Sequence, residues 1–202
     1  MKQKILIDGE NFRHQIANIL VAKKLITEKN DFFVFNVAGF FKEILNYDKP
    51  EIIYYTTKIK QPAYKVPQKL VSLISKISTS NRRWLAQLSN QKIKVIKAGY
   101  LRVRESNACV HCGKKTLVPQ EKGVDVRVAT DLVLSSKAEE IIALVSSDSD
   151  LTPAIQSAKR MGAKVQYICY AGQLNRSVAA CADSVITFTD KDIIKYFGKN
   201  NG

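Results

Sequence analysis

Carboxylates stand at the ends of two apolar runs that lie far apart in the chain. Asp148 and Asp150 follow the run 141–145 with one residue between them, and Asp8 follows the run 4–7. Each run has the length and composition of a buried strand. In open α/β sheets the ligand crevice lies outside the carboxyl ends of the strands, so we expect these acids to meet there. Such a group of oxygens suits a hard divalent cation.

Three further polar residues are candidates for the same crevice. Asp125 begins a predicted helix after Gly123, and Asp131 lies six residues further along it. Residues six apart do not stack on one helix face, but both can approach the crevice if the helix crosses the edge of the sheet. Asn11 turns towards Asp8 if residues 9–12 form a helical turn, or it caps that helix. Clustered carboxylates without a cation would repel one another and take up protons.

The acids after residue 145 have a simpler interpretation as well. A helix is predicted from Thr152, and acidic residues in front of it complement the helix dipole. Asp148 and Asp150 could then be ordinary N-terminal residues of that helix. The presence of Asp8, Asp125 and Asp131 in similar settings favours a shared metal site for Mg²⁺ or Mn²⁺.

Strands alternate with helices along the whole chain, which predicts an α/β fold with a mostly parallel central sheet. We expect one domain over residues 1–197 and a disordered tail over 198–202. Predicted strands cover 2–7, 51–57, 93–96, 141–146, 164–170 and 184–188, and predicted helices cover 32–45, 67–88, 125–135, 152–161, 175–182 and 191–197.

The chain is strongly basic, with a net charge of +14 from 32 Lys and Arg against 18 Asp and Glu. Such an excess favours a nucleic-acid partner over a merely soluble basic surface. Basic residues on several segments are candidates to hold the phosphate backbone: Arg82, Arg83, Arg102, Arg104, Lys114, Lys115 and Lys122. An acidic crevice within a basic surface is what a metal-dependent enzyme acting on phosphodiesters needs.

Residues 100–121 are predicted to form a small insertion that carries a C-x₂-C knuckle, Cys109 and Cys112. The knuckle is half of a zinc ribbon, and no second C-x₂-C completes it. Two chains could share one Zn²⁺ as a Cys₄ site in a homodimer; otherwise the knuckle is degenerate or its thiols are free. No apolar run is long enough to span a membrane, and the first one ends at Asp8, so we expect a cytoplasmic protein.

Together these motifs resemble a known family. The segments 7–11, 122–126 with Asp131, 145–151 and 182–183 are similar in order and spacing to the LabA-like NYN domains of the PIN-like nuclease superfamily. Ser147 stands where that family usually has Gly. The resemblance implies a three-layer α/β/α sandwich and a Mg²⁺- or Mn²⁺-dependent endoribonuclease that cleaves single-stranded RNA. It implies core acids Asp8, Asp131 and Asp148, with Asp125, Asp150 and Asn11 as accessory residues.

The sequence is also compatible with two other functions. A nucleic-acid-binding regulatory module could keep the fold with little catalysis, but it has no need for five carboxylates that repel phosphates. A small phosphoester hydrolase is disfavoured by the charge of +14 and by the lack of a Gly-rich nucleotide-binding loop. Whether DNA is cut as well as RNA does not follow from the sequence.

Overall fold

The computed structural model describes residues 3–29, 31–59, 67–138 and 140–199, apart from the side chains of residues 102, 104 and 119. Residues 200–202 of the tail that the sequence predicts to be disordered lie outside the described residues. In the described part of the chain, no helix is both long and apolar enough to cross a membrane.

A seven-stranded sheet forms the centre of the molecule, in the order β4-β3-β2-β1-β5-β6-β7. The strands are β1 (Gln3–Asp8), β2 (Glu51–Lys58), β3 (Lys94–Glu105), β4 (Leu117–Lys122), β5 (Ile141–Val145), β6 (Lys164–Tyr170) and β7 (Ser184–Phe188). All neighbours pair in parallel except β3 and β4, which are antiparallel. The predicted α/β class with a mostly parallel sheet is confirmed.

In the described residues, seven α-helices connect and cover the strands. They are α1 (Gly9–Ala22), α2 (Val37–Leu45), α3 (Gln68–Asn90), α4 (Val124–Leu134), α5 (Thr152–Arg160), α6 (Arg176–Cys181) and α7 (Asp190–Tyr196). A short 3₁₀ turn, Ser149–Leu151, precedes α5, and a second one, Ala171–Gln173, precedes α6.

The helices form a layer on each face of the sheet, and each layer has its own apolar core. Helices α1, α2, α3 and α7 bury an aromatic cluster that includes Phe12, Phe40 and Trp84. Helices α4, α5 and α6 bury aliphatic residues such as Val128 and Ile155 on the other face. The central strand β1 alternates between the two cores, as a strand with a side-chain period of two must. The sheet therefore sits between two helical layers.

Helix α1 is longer than the single helical turn that the sequence suggests. The helical turn considered at residues 9–12 is the start of a 14-residue helix. Phe12, Ile16 and Leu20 repeat at helical spacing and are fully buried against the sheet. Gly9 lets the helix begin close above β2, because a Cβ at this position would overlap the Tyr55 carbonyl oxygen.

The predicted insertion at 100–121 is largely a continuation of the sheet. β3 extends to Glu105 and returns as β4, with Tyr100 opposite Lys122 and Glu105 opposite Leu117. Only residues 106–116, at the tip of this hairpin, lie outside the strands. Residues 100–105 therefore belong to a paired strand of the sheet rather than to an insertion.

Candidate metal and nucleic-acid site

The carboxyl ends of β1 and β5 lie side by side at the point where the chain reverses its direction across the sheet. Ile7 pairs with Val145, so the two strands end at the same level. The chain leaves β1 into α1 on one face and leaves β5 towards α5 on the other. A crevice opens at such a switch point, and the first polar residues on its two sides are Asp8 and Ser146.

Ser146 connects Asp8 and Asp148, two of the acids that the sequence predicts as metal ligands. Its Oγ donates to Asp8 Oδ2 (3.0 Å) and accepts from the backbone N–H of Asp148 (3.2 Å). The serine is buried, with 2% of its surface exposed. The β5 loop is thereby attached to the end of β1, and the orientation of Asp8 is set from both sides.

Both acids are also helix caps. Asp8 Oδ1 accepts from the backbone N–H of Asn11 (3.3 Å), and Asp148 Oδ1 accepts from the backbone N–H of Asp150 (2.9 Å). The cap interpretation is therefore correct for Asp148. A cap uses only part of a carboxylate's capacity, since each oxygen has two lone pairs. The role as a cap fixes the side chains without preventing them from binding a cation.

The Asn11 side chain belongs to a second connection between the two loops. Its Oδ1 accepts from Gln15 Nε2 (3.0 Å), and the same amide contacts Ser147 Oγ (3.1 Å). Asn175 Nδ2 in turn donates to the Ser147 carbonyl oxygen (2.9 Å). Asn11 thus acts at the site through its backbone, while its side chain holds Gln15 in place. The serine at position 147 takes part in this network, which a glycine could not do through a side chain.

Asp125 and Glu121 join Asp8 and Asp148 in one cleft, hereafter the acidic cleft, of about 510 Å³. It is lined by Asp8, Gln120, Glu121, Lys122, Gly123, Val124, Asp125, Val126 and Asp148. Gly123 has φ +86°, a left-handed conformation that turns the chain from β4 into α4 and brings Asp125 to the cleft. Glu121 was not predicted as a site residue, because in sequence it is an ordinary strand residue.

The negative charge in this region is concentrated and partly buried. The pKa of Asp8 is raised to about 6, chiefly by burial and also by the nearby Asp148 and Glu10, against the lowering effect of the hydrogen bonds from Asn11 and Ser146. The pKa of Glu121 is likewise raised to about 8, chiefly by burial and also by repulsion from Glu10 and Asp8. In the described part of the chain, Glu121 Oε1 is buried without a hydrogen-bond partner. A cation in the cleft would favour the ionised form of both carboxyl groups and so lower the pKa of each.

Asp131 lies elsewhere than the acidic cleft. Six residues of helix separate it from Asp125, a rise of about 9 Å along α4. Arg127 Nε contacts both carboxylate oxygens at 2.9 Å, and Tyr55 Oη donates to Oδ2 (3.0 Å). The carboxylate is therefore already paired. Asp150 is exposed in the 3₁₀ turn beside Asp148.

These acids are close but not preassembled as a metal cage. In the described ranges, no group of three or more His, Cys, Asp or Glu side chains has the arrangement of a metal site. The cleft brings together Asp8, Asp125 and Asp148 from three different segments. Their oxygens are the ligand type that Mg²⁺ and Mn²⁺ prefer.

Of the predicted RNA-binding residues with described side chains, Lys122 alone lines the acidic cleft. Arg82 and Arg83 are exposed on α3, and the Arg83 guanidinium stacks 4.1 Å from the centroid of the Phe32 ring. Lys114 is exposed at the hairpin tip, and Lys115 forms an exposed ion pair with Glu105 (3.7 Å). The side chains of Arg102 and Arg104 lie outside the described residues.

The hairpin tip presents its two thiols to solvent. Cys109 and Cys112 are free and exposed. The turn is closed by the N–H of Gly113, which donates to the Cys109 carbonyl oxygen (2.8 Å). Backbone N–H groups of His111 and Cys112 point at the Cys109 sulfur and lower the pKa of its thiol. A lowered pKa favours the thiolate, the form that binds metal.

Comparison with known proteins decides the family. The family model described as NYN domain matches residues 2–190, nearly the whole chain. The chain is a member of the NYN domain family. The predicted family is thereby confirmed, and with it a PIN-like nuclease fold.

A solved structure shares the fold of this chain. A protein of unknown function from Vibrio parahaemolyticus is similar to this NYN domain with a TM-score of 0.56 and 17% identity, over 97% of this chain and 95% of that one. A phosphofructokinase-2 mutant from Escherichia coli is only distantly similar, with a TM-score of 0.38 and 9% identity, over 72% of this chain and 43% of that one. A comparison with curated proteins gives no match.

Proposed function

We propose that this NYN domain is a Mg²⁺- or Mn²⁺-dependent endoribonuclease that cleaves single-stranded RNA. The observation that carries the proposal is the pair Asp8 and Asp148, held at adjacent strand ends by Ser146 in a cleft they share with Asp125. This cleft lies in a chain of net charge +14. Family membership supports a nuclease, and the metal, the RNA substrate and the residue roles are our proposal.

The residues of the cleft fit a hard divalent cation. Asp8, Asp125 and Asp148 would hold it, with Asp150 able to turn in from the neighbouring 3₁₀ turn. When bound, such an ion lowers the pKa of a water molecule and offsets charge that develops on the phosphoryl group. Hydrolysis adds a water oxygen to phosphorus and breaks one P–O ester bond, leaving a phosphate on one fragment and a hydroxyl on the other.

The protein residues position the substrate and the ligands. Lys122 at the rim of the cleft pairs with a phosphate next to the one that reacts. Ser146 and Asn11 keep Asp8 in one orientation. We assign Asp131 to positioning Tyr55 and Arg127, since its two oxygens already contact these side chains. This assignment differs from the core role that the family resemblance implies.

A second candidate function is a nucleic-acid-binding module with little catalysis. It is favoured by one observation, that the described carboxylates do not form a ready metal site. The two functions differ in whether RNA is cut. A circular single-stranded RNA incubated with the protein and Mn²⁺ tests this, because only an endonuclease can open it. We expect linear product with Mn²⁺ and none with a chelator.

The same experiment addresses the substrate class. Circular single-stranded DNA of matching sequence, run in parallel, shows whether the 2′-hydroxyl is required. Binding of both circles without cleavage under any divalent metal would support the binding module instead. The cytoplasmic location and the homodimer expected from the sequence are part of this proposal and are independent of the cleavage result.

A further inference from the structure

A second cavity, hereafter the side pocket, adjoins the acidic cleft. It has a volume of about 150 Å³ and shares the Glu121 side chain with the cleft. Its walls are Glu10, Arg13, His14, Lys29, Thr57, Ile59, Ile77, Leu101 and Glu121. Aliphatic side chains line it together with charged groups of both signs, a composition typical of a site for a polar ring rather than for a bare ion.

Arg13 is the unusual member of this wall. It is buried, with 6% of its surface exposed, and among the described residues no carboxylate lies at ion-pair distance from it. Its Nη2 donates to Ser80 Oγ (2.5 Å), and its guanidinium lies 5.6 Å from the centroid of the Trp84 ring. Within the described ranges, its Nε has no hydrogen-bond partner. An unpaired buried donor on a charged group is costly, and a ligand acceptor would remove that cost.

Unpaired acceptors face the same pocket. Among the described residues, Glu121 Oε1 is buried without a partner. Glu10, on the first turn of α1, lines the pocket as well, and within the described ranges its one ion-pair contact is with His14, at 3.5 Å between Oε2 and Nε2. The pocket thus offers an unsatisfied donor and unsatisfied acceptors within one small, partly apolar space. A phosphate would meet the donor but would be repelled by the Glu10 carboxylate.

We propose that the side pocket binds an unpaired guanine base of the RNA substrate. The Watson–Crick edge of guanine carries an acceptor, O6, beside two donors, N1–H and N2–H. Arginine is a common partner of the guanine acceptors, and carboxylates accept from ring and exocyclic N–H groups. A cavity of about 150 Å³ holds one six-membered ring, as shown by benzene in an engineered cavity of that size, so the six-membered ring would enter and the imidazole ring would remain at the mouth.

The position of the side pocket gives this inference a consequence for cleavage. It rests on the proposed function, because the phosphate next to the bound guanine would lie across Glu121 in the acidic cleft. Cleavage would then occur beside guanine. Only an unpaired base exposes its Watson–Crick edge, so the same pocket would select single-stranded over double-stranded RNA.

Uridine-only oligonucleotides that carry one central guanosine, inosine, adenosine or cytidine test the proposal. We expect guanosine to raise the cleavage rate with Mn²⁺ at least about tenfold over the other bases, as one well-placed base contact allows. Inosine lacks the N2 amino group, so the cleavage rate of its oligonucleotide should lie between the rates for guanosine and adenosine. Equal cleavage of all oligonucleotides would overturn the assignment.

Variants assign the preference to the pocket. In Glu10→Gln and Arg13→Lys the ratio of guanosine to adenosine rates should fall towards one, whereas Arg160→Lys, on the exposed side of α5, should keep it. The ratio is measured within each variant, so a general loss of activity cancels. Glu10 is partly exposed, so its variant stays informative if Arg13→Lys does not fold. An unchanged ratio in Glu10→Gln would contradict the proposal.

A binding measurement separates this inference from the proposed function. Calorimetric titration of the metal-free protein with guanosine and with adenosine requires no catalysis. Guanosine binding that is lost in Glu10→Gln, in a protein that cuts no RNA, would support the pocket and overturn the nuclease. RNA cleavage without base preference, and without guanosine binding, would support the nuclease and overturn the guanine pocket.

Discussion

The Ser146 hydroxyl donates to Asp8 Oδ2 across 3.0 Å and joins the ends of two neighbouring strands. The same oxygen accepts from the backbone N–H of Asp148 (3.2 Å). One buried hydroxyl therefore fixes both acids of the proposed metal site. A residue of this kind, which orients ligands without binding the metal, commonly matters nearly as much as a ligand.

Ser146→Ala should weaken both stability and activity. It leaves the Asp148 N–H and one Asp8 oxygen without a partner, a loss of about 1–3 kcal/mol in the free energy of unfolding. We expect Mn²⁺-dependent RNA cleavage to fall about 10–100-fold. Ser136→Ala is the matched control, since Ser136 is also buried and its hydroxyl donates to the Leu132 carbonyl oxygen, in the C-terminal part of α4. Equal cleavage rates in the two variants would contradict the role of Ser146.

Asp8→Asn should stabilise the metal-free protein. The pKa of Asp8 is raised to about 6 from 3.8, chiefly by burial. A raised carboxyl pKa means that ionisation destabilises the fold, an effect absent below the unfolded pKa and complete once the pH exceeds the folded one. Near neutral pH the neutral amide should therefore raise the free energy of unfolding by about 1–3 kcal/mol, measured by denaturant titration in chelator. Asp48→Asn, on an exposed residue, should have no such effect.

Added metal should stabilise the wild-type protein much more than Asp8→Asn. In the wild-type protein, Mn²⁺ at a hundred times its Kd should add about 2.7 kcal/mol, which thermal unfolding will show as a higher Tm. In Asp8→Asn this increase should be mostly lost. A wild-type Tm that is insensitive to Mg²⁺ and Mn²⁺ would argue against the site.

The parts of this molecule that were predictable from sequence are those whose signals are local. Asp8 and Asp148 were found because each follows an apolar run, and parallel strands bring such ends together. Ser146 was missed because a serine after a strand resembles an ordinary turn residue. Its importance depends on the register of β1 against β5, which no local pattern contains.

The positions of Glu121 and Arg13 depend on the tertiary structure, so the sequence did not predict their roles. Glu121 lies on β4, three strands from β1 in the sheet order, yet it interacts electrostatically with Asp8 and Glu10. Only the curvature of the whole sheet brings them together. An arginine on a helix is ordinarily exposed, but the spacing of α1 turns Arg13 towards Ser80 and Trp84. For Asp131, which the resemblance implies to be a core acid, the structure adds a contact with Arg127 that the motif does not contain.

Lys122 should contribute to RNA affinity through charge alone. It lies at the rim of the acidic cleft and is exposed. Lys122→Ala should weaken binding of all single-stranded sequences to a similar degree and reduce the slope of log K against log salt by about 0.7, the value for one phosphate contact. Fluorescence anisotropy in chelator, where no cleavage occurs, measures both. Lys49→Ala, exposed between α2 and β2, should leave the slope unchanged, and equal slopes in all three proteins would contradict the contact.

The knuckle at the hairpin tip predicts a defined zinc content. If two chains share one Cys₄ site, purified protein should contain about half a zinc per chain and should be a dimer by light scattering. Cys109→Ser should remove both the zinc and the dimer, whereas Cys181→Ser, on the α6 side of the sheet, should remove neither. Substantially less zinc in the wild-type protein would mean that the exposed thiols are free.

We propose that carboxylates at the ends of β1 and β5 hold the divalent metal with which the protein cuts RNA. The decisive experiment is single-turnover cleavage of labelled single-stranded RNA in Mn²⁺, with Asp148→Asn, Asp131→Asn and Asp48→Asn compared with wild type. Loss of a metal ligand should cost more than loss of a residue that positions Tyr55 and Arg127, so we expect a fall of more than about 100-fold in Asp148→Asn and no more than about tenfold in Asp131→Asn. Asp48→Asn should match wild type. Cleavage by Asp148→Asn at the wild-type rate would show that this carboxylate holds no catalytic metal.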